Sequence, residues 1–211
     1  MKLFFDRAAG RLSDGRGRRF DPGARLWKEE GGAPAGEPVD LRAALAWLQR
    51  DSGRPCRVPV GVIGSREATA AQLSTAEWLG EALAGHGLTV ICGGREGVME
   101  AACRGVERAG GVSVGLLPDA DPTSANPHVT IPIATGIGVA RNAIIARASL
   151  CLVAVGGGHG TTAEVAFGLQ FGVPVFGLSG APELDGVRAL PDAEAALDAV
   201  ARVVLGLPLD A

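Results

Sequence analysis

A chain of 211 residues that is 47% hydrophobic has enough apolar mass for one well-filled α/β domain plus a small appendage, which excludes a disordered chain. A net charge of −3 without clustered basic residues excludes a nucleic-acid-binding surface, and no apolar run approaches the roughly 20 residues of a membrane span. Four cysteines without a CxxC pair and three scattered histidines form no metal-ligand pattern, so neither a metal nor a resident cofactor is expected.

The N-terminus is charged too soon, and is too short, for a signal peptide, so a cytoplasmic location is expected. Residues 1–57 read as an N-terminal appendage. Short strands are expected over 2–5, 18–20 and 24–27, separated by Gly/Asp turns. Asp40 is the N-cap of a helix carrying Leu41, Ala44, Leu45 and Leu48 on one face. A partly ordered arm is the alternative for this region.

From residue 58 to 211 strands and helices alternate. A strand over 58–63 runs into Gly64-Ser65-Arg66, and a helix over 71–86 stops at Gly87. A strand over 88–92 runs into Gly93-Gly94-Arg95-Glu96-Gly97, followed by a helix over 98–109 and a strand over 112–117. The polar loop 118–128 is long enough to rim a pocket. A strand over 129–133, a helix over 139–148, strands over 150–155 and 173–178 and a final helix over 192–204 complete the pattern. Apolar strands alternating with helices mean an α/β fold: a doubly wound, Rossmann-like parallel sheet whose ligands bind beyond the carboxyl ends of the strands. No GxGxxG follows the first strand of this sheet and no acid ends the second, which disfavours a dinucleotide.

The segment Gly156-Gly157-Gly158-His159-Gly160-Thr161-Thr162-Ala163-Glu164 joins a buried strand to a helical pattern starting near Val165. Free amides at a helix start suit a phosphate, glycines let it approach, and Thr161 and Thr162 add hydroxyl donors. Four glycines in five positions exceed what a tight turn needs, though that turn is the simpler alternative. Glu164 sits where a carboxylate can face the same pocket. Gly64, Ser65, Gly93 and Gly94 are candidate binding positions on the neighbouring loops. For Ser65 and Arg66, a role in starting the first helix explains the residues equally well. His159 reads as a rim residue and Met99 as core packing.

Gly93-Gly94-Arg95-Glu96-Gly97-Val98-Met99 resembles the GGxxGxM segment of the LONELY GUY (LOG) family. Gly157-Gly158-His159-Gly160-Thr161-Thr162-Ala163-Glu164 resembles its PGGxGTxxE motif. Arg141 lies 164 − 141 = 23 positions before Glu164, where that family has its active-site arginine. The resemblance implies a homodimeric or higher homo-oligomeric phosphoribohydrolase that cleaves the N-glycosidic bond of nucleoside 5′-monophosphates to free base and ribose 5-phosphate. Members are often labelled lysine decarboxylases. Here Lys2 and Lys28 are the only lysines, so the glycine-loop region has none to form a Schiff base with pyridoxal phosphate. Two positions depart from the family: its Arg-Lys pair is Arg141-Asn142, and the proline that opens the glycine motif is Gly156. In both respects the chain resembles a bacterial branch similar to the molybdenum cofactor carrier proteins, which bind a phosphorylated pterin.

Hydrolysis of an N-glycoside builds positive charge on the ribose, which an ionised Glu164 would stabilise while orienting water. Arg141 is expected to hold Glu164 ionised near pH 7 or to bind the phosphate. The alternative for the pair is a buried ion pair that fixes helix to loop. Three functions stay open: a phosphoribohydrolase, a carrier for a phosphorylated nucleotide or molybdopterin-type ligand, and a nucleotide sensor whose N-terminal arm meets a partner.

Overall fold

The alternating apolar runs assemble as a parallel sheet whose central runs are nearly or fully buried, while the run over 131–134 is largely exposed. In this computed structural model residues 2–32 and 34–209 are described, and Met1, Ala33, Asp210 and Ala211, including the two outermost chain positions, lie outside them. The chain divides into two compact units, Met1–Cys56 with Asp198–Ala211, and Arg57–Leu197.

The first unit contains β1 (Leu3–Asp6), β2 (Arg11–Asp14), β3 (Arg18–Asp21), β4 (Leu26–Glu29), β5 (Glu37–Val39) and α1 (Leu41–Arg50). Its strands form an antiparallel sheet in the order β4-β3-β2-β1-β5. Leu3, Leu12 and Phe20 are buried in the sheet, and Ala44, Leu45 and Leu48 are buried on α1. The helix starts where the sequence indicates, with Asp40 Oδ1 accepting from Ala43 N at 2.7 Å. β2 and β5 were not legible because each has only one strong apolar residue, Leu12 or Val39. Trp27 Nε1 donates to Leu205 O at 2.8 Å, and Arg42 Nε donates to Asp198 Oδ1 at 2.8 Å.

The second unit is built from β6 (Val60–Gly64), α2 (Ala70–Gly85), β7 (Val90–Cys92), α3 (Val98–Arg108), β8 (Ser113–Leu117), β9 (Ile131–Ala134), α4 (Arg141–Ala148), β10 (Leu152–Val155), α5 (His159–Gln170), β11 (Val175–Leu178) and β12 (Val187–Ala189), and α6 (Ala193–Val204) begins in it. All pairings in its seven-stranded sheet are parallel, in the order β12-β11-β10-β6-β7-β8-β9. Three observed features differ from the sequence reading. β12 is an unanticipated three-residue edge strand. α4 starts at Arg141 after a 3-10 turn, Gly138–Ala140. α5 starts at His159, because the chain is already helical through the glycine–threonine segment before its apolar periodicity begins.

Ile63, Ile91, Leu116 and Leu152 of the sheet form one apolar cluster with Ile145 and Ala146 of α4 and Val165 of α5. α2 packs along α3 as a second helical pair. From β6 the order runs one way to β7 and β8, whereas β10, on the other side of β6, leads away to β11 and β12. The loops after β6 and β10 therefore leave a topological switch point, where sheets of this kind open a crevice.

Candidate functional site

Val155 pairs with Gly64 at the ends of β10 and β6, so the two loops start side by side. A Cβ at Gly64 would stand 2.5 Å from Val155 O, and only glycine allows this approach. Gly97, at φ +74°, brings the start of α3 against the same loop, and Val98 N donates to Ser65 O at 3.0 Å. The result is a cavity of about 380 Å³ lined by Gly64, Ser65 and Arg66 after β6, by Arg141 and Asn142 of α4, and by residues 158–161 and 164 around α5. Met99, Pro118 and Val139 complete it.

Of the positions singled out from the sequence, Gly64, Ser65, Arg141, Asn142, Gly158, His159, Gly160, Thr161 and Glu164 meet in this cavity. Gly93, Gly94, Gly157 and Thr162 do not line it. Thr162 Oγ1 donates to Gly158 O at 3.0 Å, spending its hydroxyl on the helix. Gly93 acts from behind: a Cβ there would lie 2.5 Å from Arg141 Nη2 and 2.7 Å from Met99 Sδ, so its missing side chain is the space the guanidinium occupies. Gly94, at φ +68°, packs against Gly115 and Leu117. Pro118, at the start of the loop expected to rim a pocket, lines the cavity, whereas Val139 was missed because it reads as an ordinary helix start. Met99 lines the cavity as well as packing in the core.

α5 opens with no side-chain cap, leaving its first-turn N–H groups without helical acceptors at the positive end of the dipole. Arg141 Nη1 donates to Glu164 Oε1 at 2.9 Å and to Asn142 Oδ1 at 2.6 Å. Asn142 Nδ2 donates to Gly160 O at 3.3 Å, tying α4 to the start of α5. Arg141 and Glu164 are buried, yet Arg141 Nε has no hydrogen-bond partner. A buried cation beside an uncapped helix start is a combination that suits an anion.

Glu164 corrects one expectation. Burial raises its pKa to about 7, and the charge and hydrogen bond of Arg141 only partly offset that rise. The acid is half protonated near neutrality rather than held ionised, because losing its water costs the carboxylate more than one guanidinium returns. Among the described lining residues it is the only carboxylate. All four cysteines are buried and outside any disulfide, and no group of three or more His, Cys, Asp or Glu among the described residues could hold a metal ion. No described helix is long and apolar enough to cross a membrane.

A family model described as the SLOG cluster4 family matches residues 57–203. An uncharacterized protein of Archaeoglobus fulgidus is 38% identical over 139 residues, 66% of this chain and 91% of that protein. Among solved structures, the molybdenum cofactor binding protein of the phototrophic bacterium Rippkaea orientalis is 31% identical, with a TM-score of 0.67 over 71% of this chain and 98% of that one. The molybdenum cofactor carrier protein of Chlamydomonas reinhardtii is 39% identical, with a TM-score of 0.63 over 69% and 98%.

Proposed function

The chain belongs to the SLOG cluster4 family, and from that premise we propose that it is a cytoplasmic binding and carrier protein for a phosphorylated small molecule, foremost a molybdopterin-type cofactor. The observation that carries this reading is the convergence of Arg141, with its unpartnered Nε, and the uncapped start of α5 on one cavity. The phosphate of the ligand belongs at that end. Met99, Pro118 and Val139 offer an apolar wall for its ring system. The cavity lies within the range of small-molecule sites. No thiol lines it, so a metal on the ligand would keep its own ligands rather than gain one from cysteine.

Two observations favour carriage over hydrolysis. Asn142 stands where the hydrolytic family has a lysine, so one cation is missing beside a carboxylate that is already hard to ionise. Gly156 has φ +57°, which proline, fixed near −65°, cannot adopt, so the loop enters the site along a path closed to the family's proline. The runner-up, a nucleoside 5′-monophosphate phosphoribohydrolase, draws support from Glu164, whose neutral form at pH 7 could protonate a departing base. Incubation with AMP and other nucleoside monophosphates decides between them: no ribose 5-phosphate is expected, and steady release of it would overturn the carrier reading. Mass spectrometry of the purified protein should find a phosphorylated pterin or nucleotide.

A homodimer or larger assembly is part of the proposal. Ile131 and Ile133 of β9 lie opposite Val114 and Leu116, on the side where Leu116 meets Ile145 of α4. Ile131, Ile133, Ile137, Val139 and Ile144 are all exposed apolar residues, Val139 at 82%. A second copy covering them would also reach the cavity rim.

A further inference from the structure

Arg141 is held in place by more than its acid. Asn142 Oδ1 accepts from Nη1, and the space left by Gly93 receives Nη2. The guanidinium therefore keeps its position if Glu164 lets go. Glu164, in contrast, has Arg141 as its sole hydrogen-bond donor among the described residues. The pair is asymmetric: the cation has other anchors and the carboxylate has none.

An anion entering the cavity meets the Arg141 guanidinium and the open start of α5 together, and it competes with Glu164 for that guanidinium. Two negative charges cannot share one buried cation cheaply. Resting on the binding reading above, we propose that the site takes up one proton from solvent as it takes up its anion: the ligand oxyanion takes over Arg141, and the displaced Glu164 carboxylate becomes the neutral carboxylic acid. Its O–H then becomes a donor inside the cavity. The site thus selects a ligand that carries an oxyanion together with a hydrogen-bond acceptor, a ring nitrogen or a carbonyl.

The other groups around the cavity do not share this behaviour. Arg66, in the loop after β6, is exposed and 3.8 Å from Glu96. Cys92, at the end of β7, lies under Gly93, and its hydrogen bond with Cys103, together with burial, pushes its thiol well up, so it stays neutral. α3 contributes the uncharged Met99. His159, on α5, is exposed and carries the one imidazole among the described lining residues.

Sulfate is the appropriate probe, because its charge is constant over the range. Calorimetric titration of the intact protein with sulfate at pH 8, in two amine buffers of different ionisation enthalpy, should show uptake of close to one proton per sulfate bound. Kd should be nearly flat below pH 6 and rise about tenfold per pH unit above pH 7. Glu164→Gln should bind sulfate without proton uptake, and His159→Gln should retain the uptake whatever its affinity. Equal enthalpies in both buffers with a flat Kd, or undiminished uptake in Glu164→Gln, would overturn the proton coupling while leaving the anion site standing. No saturable sulfate binding anywhere from pH 6 to 9 would remove the binding reading and this inference with it.

Discussion

Replacing Glu164 by glutamine should stabilise the protein at alkaline pH, against the usual outcome of removing half a buried ion pair. Below about pH 4.5 the carboxyl is protonated whether the chain is folded or not. Between about 4.5 and about 7 only the unfolded chain releases the proton, so stability falls as pH rises through that window. Above about 7 the cost of ionising the buried group is fully present. A rise from 4.5 to about 7 corresponds to about 3 kcal/mol. Glutamine keeps the shape and an oxygen for Arg141 Nη1, and it resembles the neutral acid. The variant should therefore match the wild type at pH 4 and exceed it by about 3 kcal/mol at pH 8. Urea unfolding followed by circular dichroism at both pH values measures this, and taking the difference between the two proteins cancels the other carboxylates. A variant less stable at pH 8 by about 3–5 kcal/mol would mean that the pair is net stabilising and would refute the reasoning.

Other variants separate the parts of the site. Gly93→Ala places a methyl against the far ends of Arg141 and Met99, so stability should fall by only about 1 kcal/mol while sulfate affinity, by calorimetry, falls roughly tenfold or more through loss of a charged hydrogen bond. Gly156→Pro forbids φ +57° and removes the bond from Gly156 N to Leu178 O, 2.9 Å. Thermal or urea unfolding should show a loss of about 3 kcal/mol or more, and a neutral result would mean the loop is not held as described. Ile133→Glu combined with Ile144→Glu should reduce the mass by light scattering to that of a monomer, and an unchanged mass would place any assembly on another face.

Much of this site was legible because its residues are close in sequence or bound by periodicity. The glycine segment after β10 marks a strand passing into a helix, and the spacing from Arg141 to Glu164 spans one helix and one strand, which returns both to the same end of the sheet. What was not legible depends on three-dimensional closure. Val139 looks like an ordinary helix start, and it lines the cavity only because loops from different strands converge. Thr162 was a reasonable phosphate donor until α5 proved to start at His159, which turned its hydroxyl onto Gly158 O. The protonation of Glu164 follows from depth of burial, and no spacing encodes that. β2, β5 and β12 escaped because each carries only one or two apolar residues, without the apolar run that marks β7 or β10.

The central claim is that the cavity between the loops after β6 and β10 grips the phosphate of its ligand. Its most direct test is a binding titration of the purified protein with a phosphorylated pterin and with the same pterin lacking its phosphate. The account predicts binding at least about tenfold tighter for the phosphorylated form, a difference lost in Arg141→Ala. Equal affinity for the two forms, or a preference that survives loss of Arg141, would contradict it.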